Sequence, residues 1–223
     1  MAEKGVIVEY DFTVLDGAKI LYDTTGKFLE ELDGVAFGVS SESRYLQGAD
    51  LQSGLQALFA AVKTKKTAAK ASRDLADALK VALTAAFPGS VTAAFRNFVR
   101  MLTEKGIRVI VATHADVASE SVRLALVDVL GNGVSLYQET STVYGAVPWK
   151  SWRLACAQNH LSRGSALAIT GSGDGVRSAL LAGMGAVVVE NDHVAYHDFG
   201  GADAVVKTLD SAAARKVLKF LRT

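Results

Sequence analysis

The chain holds a single cysteine, Cys156, among its 223 residues. No disulfide can form within it, which points to a reducing, cytoplasmic setting. Cys156 falls in an apolar helical stretch, 152–161, and reads as a packing residue. Charge of one sign is also scarce: 24 basic and 23 acidic residues leave a formal net charge of +1. No overall field therefore favours nucleic acid. Long hydrophobic runs are missing too. None reaches the roughly 18 residues of a spanning helix, and Glu3 and Lys4 stand where a signal peptide would need apolar residues. Nucleic acid and membrane are thereby excluded as partners. The two prolines, Pro88 and Pro148, both stand at boundaries between elements. Even the one basic cluster, 63–70, reads as a solvated helix start.

Half the residues are hydrophobic, a globular composition with ample material for a core. A short Val- and Ile-rich run predicts a fully buried strand at 5–8, and further strands are expected at 107–112, 134–137, 165–169 and 186–189. Residues 194–196 are a candidate hairpin partner. Helices are expected at 91–105 behind a Ser90 cap, at 117–130, from Pro148 to about 161, and at 174–182, with helical patterning again over 203–222. Strands alternating with helices imply a parallel sheet covered on both faces.

Residues 18–86 break that alternation. The spacing of Leu51, Leu55, Leu58, Phe59 and Val62 predicts a helix over 46–62. Leu75, Leu79, Leu83 and Ala86 predict another over 70–87. Residues 19–32 are mixed. With no confident strand, the block reads as an all-helical insertion directly after the first strand. The expected architecture is a Rossmann-like α/β core, 1–17 and 87–223, with a helical cap, 18–86. An insertion at the ligand end of a sheet is well placed to act as a lid.

Several stretches carry a family resemblance over essentially the whole chain. They are Gly5-Val6-Ile7-Val8-Glu9-Tyr10-Asp11-Phe12-Thr13-Val14-Leu15-Asp16, then Phe87-Pro88-Gly89, then Lys105-Gly106-Ile107-Arg108-Val109-Ile110-Val111-Ala112-Thr113, and finally the Gly-rich turn and helix 171–184. Together they resemble the haloacid dehalogenase-like (HAD) superfamily, in its phosphatase and phosphoglucomutase-like branch with a helical cap. The resemblance implies an aspartyl nucleophile, a second Asp as general acid and base, Mg²⁺, and a Thr and a Lys on the phosphoryl oxygens. Glu9 then stands at the nucleophile position and Asp11 at the acid/base position, the two being the implied metal ligands. Thr13, Thr113, His114 and Lys150 are the implied phosphate-binding residues. The third-motif position falls near Gly145 or Ala146, with Lys150 a few residues on.

The chain departs from that pattern. Glu9 replaces Asp, and its extra methylene moves the carboxylate by about 1–1.5 Å, where a 1 Å misplacement can cost on the order of 10²-fold in rate. Thr170-Gly171 offers no acid at the fourth motif, and Asp174 reads as a helix cap. Mg²⁺ is possible but doubtful on so few anionic ligands. The expectation is a HAD-like protein that has lost efficient phosphoryl transfer and keeps a small-anion or phosphate-sized cleft for binding or regulation. The alternative is an active Mg²⁺-dependent phosphohydrolase on a small phosphorylated metabolite. His193 and His197 are weak candidates for a metal pair. Trp149 and Trp152 read first as packing and second as a partner surface. Substrate, protein partner and oligomeric state leave no motif.

Overall fold

The computed structural model describes residues 3–127, 133–190 and 198–221. Strand β1 (Gly5–Glu9) is buried at every position. It lies at the centre of a six-stranded sheet of order β3-β2-β1-β4-β5-β6. The other strands are β2 (Arg108–Thr113), β3 (Val134–Gln138), β4 (Ala166–Thr170), β5 (Gly185–Val189) and β6 (Ala204–Val206). All pair in parallel, so β1 runs beside β2 from Gly5↔Arg108 to Glu9↔Ala112 and beside β4 from Gly5↔Ala166. This is the Rossmann-like core that the alternating pattern implies. Its order reverses at β1, and ligands in open α/β sheets bind outside the carboxyl ends of strands at such a point.

Period-two alternation divides the core into two layers. Val6, Val8, Val109, Val111 and Ile169 face one side, against α6 (Ala93–Thr103) and α10 (Ser211–Phe220). Ile7, Ile110, Ala168 and Val188 face the other, against α8 (Trp149–Gln158) and α9 (Gly173–Ala182). Both layers bury β-branched side chains, each worth roughly 1.5–3 kcal/mol when fully removed from water.

The inserted block begins after a short turn of helix at the strand end, α1 (Tyr10–Thr13). It comprises α2 (Gly17–Asp33), the three-residue α3 (Val39–Ser41), a π-turn at Glu42–Leu46, α4 (Leu51–Val62) and α5 (Ala68–Ala86). The mixed stretch 19–32 is helix because Leu21, Thr25 and Leu29 form one buried stripe at a spacing of four. Gly34 closes this helix at φ +61°.

Several boundaries differ from expectation, each for a local reason. Helix α4 starts at Leu51, since the Asp50 side chain accepts from the Gln52 and Ser53 amides and so caps it. Thr92 caps α6, while Ser90 bonds Phe87 O and Tyr10 Oη. Ser172 caps α9, leaving Asp174 in the first turn, paired with Arg177. Strand β6 precedes α10 inside the stretch read as helical, and Asp210 caps that helix. Helix α7 is only Glu120–Ala125. The possible hairpin at 194–196 and the pair His193 and His197 lie outside the described residues. No single helix among the described residues is long and apolar enough to cross a membrane.

The inserted block is fastened to the core by backbone. Gly48 N donates to Tyr144 O at 2.9 Å, Tyr144 N to Ala49 O at 3.0 Å, and Leu51 N to Thr142 O at 2.8 Å. Asp50 also accepts from Thr142 Oγ1, and the buried Tyr144 hydroxyl reaches Thr25 and Glu42.

Candidate functional site

At the carboxyl end of β1 the chain turns into α1 and presents two carboxylates, both 1% exposed. Glu9 is the last residue of the strand. Its Oε1 accepts from Val147 N at 2.8 Å, and its Oε2 accepts from Thr170 Oγ1 and from Gly171 N at 3.3 Å. Burial pushes the Glu9 carboxyl up from 4.5 to about 7, although these three hydrogen bonds pull the other way. Asp11 sits two residues on, in the turn of α1. Its Oδ1 accepts from Thr113 Oγ1, and its Oδ2 accepts from His114 N at 2.7 Å and lies 2.9 Å from His114 Nδ1. Burial alone would lower the His114 pKa. The hydrogen bond to Asp11 and the charges of Asp11, Glu139 and Glu9 outweigh that and raise it, so the pair is an ion pair while His114 is protonated.

All four carboxylate oxygens are thus held by groups of the protein itself. Mg²⁺ needs several oxygen ligands in near-octahedral order with positions left for water or phosphate. The residues present do not fit it. Thr170, at the end of β4 where the resemblance implies an acid, directs its hydroxyl onto Glu9. A side chain at 171 is sterically excluded, because a Cβ there would stand 2.1 Å from the Phe12 carbonyl oxygen. Among the described residues, no group of three or more His, Cys, Asp or Glu could hold a metal.

The remaining expected phosphate ligands divide. Thr113 and His114 come together with Asp11. The Thr13 hydroxyl donates to the Glu9 carbonyl at 2.7 Å, a local bond within one helical turn. Lys150 is exposed on α8, with its ammonium 5.7 Å from the Trp149 ring centroid and Arg153 over the same ring. Near the expected third-motif position, the Val147 backbone N–H meets Glu9 in place of a lysine. Trp152 and Cys156 are fully buried in the α8 layer, and burial pushes the Cys156 thiol up to about 11.

A cavity of about 260 Å³ lies between the inserted helices and the chain from Gln138 to Gly145. Phe12, Leu21, Leu51, Leu79 and Leu83 form its apolar walls, and His114 and Glu139 face it. Glu139 is 3% exposed. Its Oε1 accepts from Thr140 N at 2.9 Å, Ser141 N at 2.7 Å and Ser151 Oγ at 2.9 Å. Its Oε2 and the Ser141 hydroxyl, both buried, have no hydrogen-bond partner. Sequence reasoning missed Glu139 and Ser141, and placed Thr170 only as a missing acid. The available signal was the polar run Gln138-Glu139-Thr140-Ser141-Thr142 at the ligand end of the third strand.

No family model and no curated protein matches the chain. Solved structures do, at low identity. A HAD hydrolase of family IA, variant 3, from Entamoeba histolytica aligns with a TM-score of 0.72 at 12% identity, covering 99% of this chain and 100% of that one. The β-phosphoglucomutase of Clostridium difficile aligns at 0.69 and 11%, covering 99% and 97%. CbbY from Rhodobacter sphaeroides, solved with phosphate, aligns at 0.64 and 17%, covering 95% and 96%. The fold is therefore the HAD-like fold, a parallel α/β core carrying an inserted helical cap. At these identities the likeness extends to the fold alone.

Proposed function

We propose that this HAD-like chain has lost phosphoryl transfer and works as a binding or regulatory protein through the cleft between its cap, 18–86, and its core, 1–17 with 87–223. The observation that carries this reading is that every oxygen of both carboxylates is already engaged by a protein donor. Glu9 Oε1 and Oε2 and Asp11 Oδ1 and Oδ2 each already accept a hydrogen bond from the protein. A carboxylate nucleophile must attack phosphorus in its ionised form. Glu9, with a carboxyl raised to about 7, is partly protonated near neutrality.

An active phosphohydrolase on a small phosphorylated metabolite is the competing reading. The arrangement of Asp11 with Thr113 favours it, since both stand at positions the resemblance assigns to catalysis. Incubation of the purified chain with Mg²⁺ and phenyl phosphate separates the two. The proposal expects no release of phosphate above background between pH 5 and 8. Turnover that disappears in Asp11→Asn overturns it. An acid cannot be restored at 171, where no side chain fits, so the attempted rescue is Glu9→Asp with Thr170→Asp. A measurable parent rate that rises in this double variant supports the phosphohydrolase.

A further inference from the structure

The cleft invoked above carries a more specific reading, which rests on that proposal. Its polar end is an acceptor. Three donors hold Glu139 through Oε1 alone, so the carboxylate is fixed in orientation while Oε2 is left buried and unpartnered. An unpaired buried polar group is destabilising, the more so when charged. Such an atom selects a ligand that donates. The Ser141 hydroxyl beside it in sequence is likewise unpartnered and lines the same cavity.

Charge around the cavity favours a cation over a phosphate. Two cationic side chains face it, and each already meets a carboxylate: His114 pairs with Asp11, and Lys80 stands 3.7 Å from Asp116. The cavity-lining carboxylates of Glu139 and Asp77 have no ion-pair partner among the described residues. Asp77 and Lys80 are exposed on α5 and mark the solvent side, whereas Glu139 is deep. The walls between them are hydrocarbon and aromatic. At about 260 Å³ the space falls just below the usual range for drug-sized ligands, about 300–1,000 Å³.

We propose that the cap–core cavity binds a small primary amine with an apolar body, its ammonium donating to Glu139 Oε2 and the Ser141 hydroxyl and its hydrocarbon packed against Phe12, Leu21 and Leu83. A charge-assisted bond to a buried carboxylate is about twice as strong as a neutral one. The apolar walls then reject hydrated anions.

Titration calorimetry on the full chain tests this with benzylamine, benzoate and phenyl phosphate as probes. Benzylamine binds saturably; benzoate and phenyl phosphate do not. Glu139→Gln weakens benzylamine at least tenfold, and Ala76→Phe, which fills the cavity from α5, abolishes its binding. The second variant keeps the test decisive should Glu139→Gln fail to fold. Absence of benzylamine binding, equal binding to Ala76→Phe, or phenyl phosphate binding as tightly as the amine overturns the inference. Phosphate release from phenyl phosphate with Mg²⁺ is followed on the same samples. Turnover there overturns the non-catalytic reading, whereas amine silence without turnover overturns only the amine site.

Discussion

The carboxyl end of β1 and the cavity beside it are both buried and both acidic, yet their polar atoms are treated in opposite ways. At β1, each oxygen of Glu9 and Asp11 has a protein donor. At the cavity, Glu139 keeps one oxygen with no partner, in a space large enough for a small molecule. The contrast teaches that acidic residues at a ligand-binding edge do not by themselves make a reactive site. What counts is which oxygens meet a protein donor once the chain has folded. In the proposed reading the engaged oxygens stand at the end of β1, and the unpartnered acceptor stands just past the end of β3.

The largest break in this comparison comes from emptying the β1 end. Glu9→Ala leaves the Val147 and Gly171 amides and the Thr170 hydroxyl without their acceptor, and urea unfolding should show a loss of roughly 3–5 kcal/mol. A loss under about 1 kcal/mol would mean that those donors find other partners.

pH sharpens the same point. Glu9 has a folded pKa raised from 4.5 to about 7. Its contribution is fully present below about 4.5 and is lost as pH rises to about 7, by on the order of 3 kcal/mol at most. His114 is also raised, from 6.5, so its contribution is present below 6.5 and is lost as pH rises through its folded value. Both act in one direction. Stability measured from pH 4.5 to 8 should therefore fall, and Glu9→Gln, a neutral isostere, should flatten the fall up to pH 7 and leave the His114 part. An unchanged slope in that variant would remove Glu9 as its source.

Fastening of the cap gives a smaller effect. Tyr144→Phe removes bonds to Thr25 at 3.3 Å and Glu42 at 3.0 Å, with an expected loss of about 1–2 kcal/mol. Hydrogen exchange at the Gly48 and Leu51 amides, which bond the core, should quicken in that variant. The smallest effect is expected at Lys150. Its side chain is exposed, with the ammonium over the Trp149 ring, so Lys150→Ala should shift stability by less than about 0.5 kcal/mol and leave amine binding unchanged.

The centre of the sheet was legible in the sequence because β1, β2, β4 and β5 are buried nearly throughout, and such strands appear as short apolar runs. Strand β6 was not, since three residues followed by a capped helix carry no period of their own. Within the site, Glu9, Asp11, Thr113 and His114 were grouped by the family resemblance, and the parallel pairing of β1 with β2 brings them together. Thr170 was legible only as a missing acid, and its role as a donor to Glu9 depends on the β1–β4 pairing. Glu139 stood in a run of ordinary polar residues, and only its burial beneath the cap gives it meaning. Lys150 was misleading for a simple reason: sequence proximity to a motif says nothing about the side of the helix it occupies.

On the proposed reading, the Glu9 and Asp11 oxygens take no metal. The backbone amides of Val147, Gly171 and His114 report on those oxygens directly, because each donates to one of them. Nitrogen–proton correlation spectra recorded during a Mg²⁺ titration into the millimolar range should show these three resonances unmoved. Saturable shifts at all three, absent in Asp11→Asn, would show that a metal binds there.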